Sequence, residues 1–564
     1  MTLNPIFSRK NTQELKEGWL FSFDEREWIS IYVPFCPESV LSGIAHTGFI
    51  RQCFYKKRFT VKDIDERVIL HFGAVDYRAV LYVNGKYVGM HVGGFTPFAF
   101  DITDLLSESG ENELYLTVYD DEYLRAATGK QSYKEKSFGC FYTRTTGIWQ
   151  PVWLEYVPEN HVKQALCYPD IHAVGVNVDL SVVREGKYKI EVFFEGKLVG
   201  EAEGELAYRK NIFIPLSEKR LWSLGKGDLY DVKITYGQDV VETYFGLREV
   251  RYDGYKFLLN GEETYQRLVL DQGYYPDGIY TAPNVEAMQK DIDLGLRLGF
   301  NGARLHQKVF DPRFLYLCDK AGYMVWGEFP GWGVDYSNTK CLGQFLSEWE
   351  EAVMRDFNHP SIITWCPLNE VWGASDDKRK KRDVKCVDAI YAFTKTLDPT
   401  RPVVDASGGH HGKATDLFDF HCYKPVSELK EYLDRIQKED IVAIPLLDCE
   451  GEPSSYRKGM PLNLSECGGI SFGVADAAGE TETANKEKAW GYGKGATDGD
   501  AFVERYQELI ELIYGYDKLS GFCYTQLYDI EQEQNGFYYY DRTDKLTERQ
   551  KDLIREINHR KGGF

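Results

Sequence analysis

The sequence contains no uninterrupted apolar run that approaches the roughly 18 residues a membrane-spanning helix needs. Positive charge is also in deficit, because 67 Lys and Arg residues stand against 87 Asp and Glu, a formal net charge of −20. A chain with this charge repels nucleic acids and anionic membrane surfaces alike. We therefore expect neither a nucleic acid nor a membrane as a partner.

Signals for export and for metal binding are missing as well. The first residues lack a basic segment followed by an apolar run and a small-residue cleavage site. This predicts a cytoplasmic location, unless a leader was removed. The 12 cysteines are scattered singly, without the CxxC pairs or histidine partners of a zinc site, and we interpret them as reduced core thiols. We expect no metal and no organic cofactor.

The first 250 residues alternate short apolar strands with turn residues. Val68–Phe72 and Ala79–Val83 are typical of such strands, and Asn84-Gly85 is a strong signal for a two-residue hairpin turn. Strands at this spacing predict an N-terminal jelly-roll β-sandwich over residues 1–158. The shorter run over residues 159–250 predicts an immunoglobulin-like β-sandwich.

From residue 251 to 564 the pattern changes to strand, helix, strand, helix, which predicts a C-terminal (β/α)8 TIM barrel. The fold class is therefore multidomain β plus α/β. Pro283 is expected in the first turn of the first barrel helix. The expected strands are Gln266–Leu270, Phe300–Leu305, Tyr323–Glu328, Ile362–Asn369, Pro402–Ala406, Leu417–Cys422, Leu462–Ser465 and Gly521–Gln526.

Functional side chains of such a barrel come from the carboxyl ends of its strands. The fourth strand ends with Asn369-Glu370 among tryptophans, and the seventh ends with Ser465-Glu466-Cys467-Gly468. Two carboxylates that face one pocket suit glycosidic cleavage, in which one protonates the departing oxygen and the other meets the positive charge at the anomeric carbon. The alternative candidates for the second carboxylate are Glu450 and Glu452, in the acidic loop Leu447–Glu452.

These residues belong to a pattern that resembles glycoside hydrolase family 2, whose members include β-galactosidases, β-glucuronidases and β-mannosidases. The resemblance covers essentially the whole chain. Besides Asn369-Glu370, the matching segments are Tyr142–Glu155 at the end of the first sandwich, Phe245–Arg248 and Phe257–Gly261 before the barrel, and Gly521–Glu533 at the eighth strand.

The resemblance implies a role for each of the two acids. Glu370 would be the general acid/base and Glu466 the nucleophile of a reaction that retains the anomeric configuration, with carboxyl groups roughly 5 to 5.5 Å apart. Glu370 must start protonated, which an apolar wall such as Trp365 or Trp372 and the negative charge of Glu466 would favour.

The resemblance also implies a set of substrate-binding residues. Asn369 would bond the sugar 2-hydroxyl, Tyr423 would bond the nucleophile, and Arg304 and His306 would lie near the sugar or beneath the nucleophile. The family's usual Arg-x-Ser-His-Tyr-Pro is changed around Arg304, and its Asn-x-His is replaced at the end of the first strand. The remaining candidates for the pocket are Glu328, Trp332, Asp271, Gln272, Tyr524 and Gln526.

Two further segments have residue types that are found in ligand-binding sites. Asn485–Lys488 is similar to a uronic-acid recognition segment, although a solvated loop is the simpler interpretation, and the glucuronidase pattern is not reproduced. His410 and His411 suggest a metal, but adjacent histidines without facing carboxylates are usually part of a loop.

The sequence therefore predicts a retaining exo-β-glycosidase, β-galactosidase-like, that hydrolyses terminal non-reducing sugars of an oligosaccharide or glycoside. The alternatives are a β-glucuronidase, β-mannosidase or furanosidase of the same family, and a carbohydrate-binding protein without catalysis. A barrel enzyme acting on phosphates is disfavoured because no glycine-rich phosphate loop follows the late strands. Since relatives often oligomerise, a homo-oligomer stays open.

Overall fold

The computed structural model of the chain describes residues 1–62, 66–120, 125–371, 383–408, 411–440, 456–472 and 489–561. Within these ranges, no helix combines the length and the apolar character needed to cross a membrane. Some candidate residues of the sequence analysis lie outside these ranges, namely Glu450, Glu452, His410, Trp372 and Asn485–Lys488.

The N-terminal region is an antiparallel β-sandwich. One sheet has the strand order β1-β12-β5-β9 and the other β3-β2-β4-β10-β7-β8, with β6 and β11 paired beside them. Every second residue of β5 is buried between the sheets, as the alternation of its apolar residues predicts. The strands are β1 (Thr12–Glu14), β2 (Trp19–Ser22), β3 (Ile29–Ile31), β4 (Gln52–Thr60), β5 (Arg67–Phe72), β6 (Val75–Asp76), β7 (Arg78–Val83), β8 (Lys86–Val92), β9 (Phe98–Asp101), β10 (Glu111–Tyr119), β11 (Gly147–Ile148) and β12 (Val152–Val157).

The predicted hairpin turn is present between β7 and β8. Val83 pairs with Lys86, so Asn84 and Gly85 form a two-residue connection. Both have positive φ, 51° and 74°, which Asn and Gly adopt more readily than other residues.

The second sandwich packs a sheet of order β13-β14-β17 against one of order β16-β15-β18-β19. Its core is a separate cluster of buried apolar side chains, for example Val178, Ile190 and Ile234. The strands are β13 (Val162–Asp170), β14 (Gly175–Val182), β15 (Gly186–Phe194), β16 (Lys197–Leu206), β17 (Arg209–Pro215), β18 (Tyr230–Tyr236) and β19 (Asp239–Phe245).

Arg9 joins the two sandwiches. Its buried guanidinium contacts Glu155 of the first sandwich at 2.9 Å and Asp239 of the second at 2.8 Å. Because removal of one member would leave a buried charge without its partner, this ion pair fixes the relative position of the two units.

A small antiparallel sheet of β20 (Val250–Asp253), β21 (Lys256–Leu259) and β22 (Glu262–Glu263) leads into the barrel. The barrel strands are parallel neighbours in the order β26-β25-β24-β23-β31-β28-β27. The barrel region contains β23 (Gln266–Asp271), α1 (Val285–Arg297), β24 (Gly302–Leu305), α2 (Pro312–Ala321), β25 (Met324–Glu328), α3 (Leu342–Asp356), β26 (Ile362–Cys366), α4 (Val384–Leu397), β27 (Phe418–Cys422), α5 (Val426–Glu439), β28 (Leu462–Gly468), β29 (Ile470–Phe472), β30 (Tyr492–Ala496), α6 (Gly499–Tyr514), β31 (Leu519–Thr525) and α7 (Glu548–Asn558).

The fifth predicted strand, Pro402–Ala406, differs from the others. The segment from Pro402 to Ser407 lies beside β26 but makes only isolated parallel bridges, Trp365 with Val403 and Asn369 with Ser407. A proline cannot donate a backbone hydrogen bond at the start of this segment, and the Ser407 hydroxyl bonds Asp419 of β27. The segment therefore completes the barrel between β26 and β27 without forming a regular strand.

The helix starts follow ordinary capping chemistry. Asp311 caps α2, with Pro312 in its first turn. Asn284 caps α1, its side chain accepting the N–H of Ala287. Pro283 therefore precedes the cap and does not lie in the first turn, because the asparagine side chain competes better for this position.

A loop of the first sandwich, residues 125–146, covers one side of the barrel mouth; we call it the sandwich loop. Its backbone bonds the loop after β25, with Thr128 N–H donating to Trp332 O at 2.8 Å and Gly129 N–H to Pro330 O at 3.0 Å. Gly129 has φ 57°, and a Cβ there would lie 2.5 Å from the carbonyl oxygen of Gln307. Only glycine fits this close approach between the two units.

Candidate active site

The two acids at the ends of the fourth and seventh barrel strands face one pocket. Glu370 follows β26, and Glu466 lies near the end of β28. A carboxylate oxygen of each and Nδ1 of His421, on β27, all lie within 4.8 Å of one another. The two carboxyl groups are therefore close enough to act on the same bound group.

Glu466 is held by several donors. Its carboxylate accepts hydrogen bonds from Arg304 Nη1 at 3.1 Å and from the Tyr423 hydroxyl at 2.6 Å, and His421 Nδ1 lies 3.3 Å away. Burial by itself would raise the pKa of Glu466, but the charges of His421 and Arg304 lower that pKa to about 2. Glu466 is therefore an anion throughout the neutral range, as a nucleophile must be.

Glu370 has a different environment. Its side chain is 19% exposed, and one carboxylate oxygen lies 2.7 Å from His421 Nδ1. Its backbone has φ 45°, a conformation that residues other than glycine seldom adopt, and its N–H donates to Ser407 O at 2.9 Å. The bond to the irregular fifth segment holds this backbone and aims the side chain into the pocket.

His421 lies between the two acids and was not singled out in the sequence. Its Nε2 lies 3.3 Å from Arg304 Nη1 and 3.2 Å from Ser407 Oγ. Because a guanidinium only donates, Nε2 accepts, and the ring proton of neutral His421 is on Nδ1, directed at the carboxylates. Both acids raise the pKa of His421 against the opposing effect of its burial.

A sequence signal for His421 does exist. Successive side chains of a strand point to opposite faces, so Asp419, His421 and Tyr423 share the face of β27 that points into the barrel. The predicted hydrogen bond of Tyr423 to Glu466 is present. The same alternation predicts that His421, two residues before Tyr423, also points into the barrel.

Arg304 forms the base of the site. It donates to Glu328 Oε1 at 2.7 Å, to Ser465 O at 2.6 Å and to Asn369 Oδ1 at 3.1 Å, in addition to Glu466. The side chain has no exposed surface. It therefore lies beneath Glu466, where it positions this acid and the amide of Asn369.

Glu328 and His306 extend this base. The Glu328 carboxylate takes His306 Nδ1 at 3.0 Å as well as Arg304. Burial and the charge of Lys130 lower the pKa of His306 well below its usual range. His306 is therefore neutral at physiological pH and bonds Glu328 as a neutral imidazole.

The side-chain amide nitrogen of Asn369 is available to a ligand. Its Oδ1 accepts from Arg304, and its backbone carbonyl accepts from Trp332 Nε1 at 3.0 Å. Its Nδ2 is buried, and among the described residues no partner accepts from it. A buried amide donor without a partner is costly, so this atom is suited to a substrate hydroxyl.

The residues at the end of the first strand are engaged in internal networks. Asp271 accepts the N–H of Gly273 at 2.9 Å and the hydroxyl of Tyr528, and burial raises its pKa to about 6. Gln272 donates to Tyr142 and to Gln526. Asp271 and Gln526 therefore bond residues of the barrel, whereas Gln272 also bonds the sandwich loop, and none of these hydrogen bonds involves Glu370 or Glu466.

Two predicted aromatic positions differ from expectation. Tyr524 is fully buried, and its hydroxyl accepts the N–H of Ile470 at 3.2 Å. Trp365 is buried with its indole N–H on Asp398 at 2.8 Å. Tyr524 is thus part of the core and not of the sugar pocket, and Trp365 is no wall for Glu370, because both rings pack toward the helix layer.

Glu370, His421 and Glu466 are also chemically able to hold a metal ion. Among the described residues, the Glu466 carboxylate already accepts hydrogen bonds from Arg304 and Tyr423. The Glu370 carboxylate is hydrogen-bonded to His421 Nδ1. His411, suggested by the sequence as a metal ligand, is instead ion-paired with Asp405 at 2.6 Å, and the charge of Asp405 raises its pKa to about 9 against the effect of burial.

Family models match two parts of this architecture, the first sandwich and the barrel. Residues 43–158 match the model described as the sugar-binding domain of glycosyl hydrolases family 2, and residues 281–454 match the model of that family's TIM barrel domain. The chain belongs to glycoside hydrolase family 2. The resemblance noted in the sequence is confirmed, together with its fold class.

Relatives of this family 2 member include proteins named β-glucuronidase and proteins named β-galactosidase. A β-glucuronidase of Streptococcus agalactiae is 27% identical over 65% of this chain and 68% of the relative. A β-galactosidase of Thermoanaerobacter pseudethanolicus is 27% identical over 63% of this chain and 49% of the relative. The chain spans about half the length of several curated relatives that it matches.

Solved structures share the fold over the whole chain. A β-D-glucuronidase of Dictyoglomus thermophilum superimposes with a TM-score of 0.78 at 19% identity, with 100% of both chains covered. A family 2 β-galacturonidase of Eisenbergiella tayi has a TM-score of 0.76 at 21% identity, covering 100% of this chain and 99% of the other.

Proposed function

We propose that this family 2 member is a retaining exo-β-glycosidase that works by double displacement. The separation of the two carboxyl groups, within 4.8 Å between their nearest oxygens, carries the proposal. Retaining glycosidases have carboxyl groups about 5 to 5.5 Å apart, whereas inverting enzymes leave about 6.5 to 9.5 Å for a water molecule. Glu370 and Glu466 fit the first class.

In the first step the ionised Glu466 attacks the anomeric carbon while Glu370 gives its proton to the departing oxygen. The bond from sugar to leaving group breaks, and an ester bond from the sugar to Glu466 forms. Tyr423 and Arg304 keep the attacking carboxylate in place. His421 Nδ1–H can then donate to Glu370, which has become an anion.

In the second step a water molecule replaces the leaving group. Glu370 takes a proton from this water, whose oxygen attacks the anomeric carbon and releases Glu466. Asn369 Nδ2, buried and without a partner in the described residues, supports a hydrogen bond to the sugar 2-hydroxyl. Such a bond stabilises the transition state more than the bound sugar.

The sugar is one of two classes in this proposal. The sequence predicts a β-galactoside, and the names of the relatives support a β-glucuronide equally well. The mannoside and furanoside alternatives have no comparable support among these names. The sandwich loop and the buried base of the site support action on a terminal sugar.

The test is a panel of 4-nitrophenyl β-galactoside, β-glucuronide, β-galacturonide, β-mannoside and furanoside substrates. With the best of them, proton NMR of the first product should show the β-anomer before mutarotation. An α-anomer as first product would contradict the double displacement. Binding of sugars without turnover of any substrate would favour the carbohydrate-binding alternative.

A further inference from the structure

Lys130 of the sandwich loop points into the same pocket from the first sandwich. Its side chain is buried, with the ammonium 5.4 Å from the centre of the Trp332 ring and 5.9 Å from that of Tyr142. Trp332 is in turn bonded to Asn369, next to the acid Glu370. The cation therefore lies in the wall of the catalytic pocket.

The backbone around Lys130 is fixed on both sides. Thr128 and Gly129 bond the loop after β25, and the carbonyl of Lys130 accepts the N–H of Tyr142 at 2.8 Å. The Tyr142 hydroxyl donates to Glu533 in the segment that follows β31. A cation on so constrained a backbone is preorganised for a ligand.

Among the described residues, no oxygen accepts a hydrogen bond from Lys130 Nζ, and the ammonium lies beside the Trp332 and Tyr142 rings. The nearby carboxylates are already bound, Glu533 by Tyr142 and Asn535, and Glu466 by Arg304 and Tyr423.

The charge of Lys130 is retained nevertheless. Burial by itself would lower the pKa of Lys130, but the charges of the nearby acids Glu533, Glu466 and Glu370 raise it. The side chain is buried, and its charged ammonium group can donate hydrogen bonds to an anion or another acceptor in the pocket.

We propose that Lys130 binds a negatively charged group of the sugar in the catalytic pocket, so that the preferred substrates are acidic glycosides. This inference rests on the proposed glycosidase function and assigns its substrate class to a residue of the first sandwich, outside the barrel. The shared chemistry is an anionic substituent, either the carboxylate of a uronic acid or a phosphate ester. Of these, we assign the carboxylate.

The test uses pairs of substrates that differ at C6 alone. They are 4-nitrophenyl β-D-galactoside with the corresponding β-D-galacturonide, and β-D-glucoside with β-D-glucuronide; galactoside 6-phosphate tests the phosphate source. The variants of the full chain are Lys130→Met and Lys130→Arg. Lys134→Met is the matched control, because Lys134 lies on the same loop over the Phe138 ring but is exposed.

For Lys130→Met, the ratio of kcat/KM for the acidic to the neutral member should fall roughly 10- to 150-fold, chiefly through KM, the range for a hydrogen bond to a charged group. Lys130→Arg should restore part of the ratio, and Lys134→Met should leave it unchanged. Thermal melting of each variant separates this effect from loss of folding.

Three outcomes would overturn the proposal. One is an equal loss on acidic and neutral substrates, which would mean that Lys130 acts only through the field on Glu466. Another is a ratio that falls in Lys486→Met or Lys488→Met and not in Lys130→Met. The third is selection of the phosphate in place of the carboxylate. Failure of every substrate, in contrast, would overturn the glycosidase function itself.

Discussion

Glu370 and Glu466 are the same residue type at the ends of two barrel strands, yet their surroundings differ. Glu466 is almost fully buried and bonded to Arg304 and Tyr423, and its pKa is lowered to about 2. Glu370 is partly exposed, and among the described residues its carboxylate bonds the His421 ring.

The difference teaches how one fold separates two roles. A carboxylate surrounded by fixed donors and cations stays ionised, as the proposed attack on carbon requires, whereas the partly exposed Glu370 has fewer fixed donors, as the proposed proton donor requires. His421 contacts both acids. The asymmetry therefore comes from Arg304 and Tyr423, which bond Glu466 alone.

The largest effect is expected for Glu466→Gln. Loss of the nucleophile should reduce kcat at least about 10⁴-fold for every substrate, since no covalent intermediate can form. Labelling with a 2-deoxy-2-fluoro glycoside and peptide mass spectrometry should place the sugar on Glu466 in the wild type. A label on Glu370 or on the acidic loop would reverse the assignment.

Glu370→Gln should depend on the leaving group. Without a proton donor, kcat/KM should fall about 10²- to 10⁴-fold for an alkyl glycoside and far less for a 2,4-dinitrophenyl glycoside, which departs without protonation. Added azide should accelerate turnover of the activated substrate by replacing the water that Glu370 activates. Equal losses on both substrates would argue against a role as acid/base.

Asn369→Ala should cost roughly 10- to 150-fold in kcat/KM, because a buried amide donor to the transition state is lost. The matched control is the 2-deoxy glycoside, which lacks the hydroxyl. If Asn369 bonds that hydroxyl, the variant and the wild type should differ little on the control substrate. The same loss on both substrates would assign Asn369 to holding Arg304.

The smallest effect concerns pH. Because Glu466 must be ionised and its pKa is about 2, kcat/KM for the dinitrophenyl glycoside should show no protonation of the nucleophile above about pH 4. Tyr423→Phe removes one donor to the ionised form, so the acid limb should move to higher pH, with a loss of roughly tenfold in kcat. An acid limb at the same pH in the variant would show that Tyr423 has no influence on this carboxylate.

The hydrophobic periodicity and the positions of the strand ends predict much of the fold and the two acids from the sequence. The predicted helix Pro312–Ala321 is present over the same residues, since its spacing of apolar residues, its Asp311 cap and its proline all act locally. Glu370 and Glu466 were identifiable because the topology of a barrel brings strand ends together. The irregular fifth segment was less predictable, because its bonds to β26 and Asp419 depend on distant neighbours.

The order of strands and helices, the family and the two acids were thus determined by the sequence alone, through local patterns and strand ends. The tertiary structure decided that His421 lies between acids 51 and 45 positions away, that Arg304 is beneath the pocket, and that Lys130 reaches it from another unit. Charge state depends on burial and on neighbouring charges in space. Those neighbours are far apart in the chain and meet only after folding.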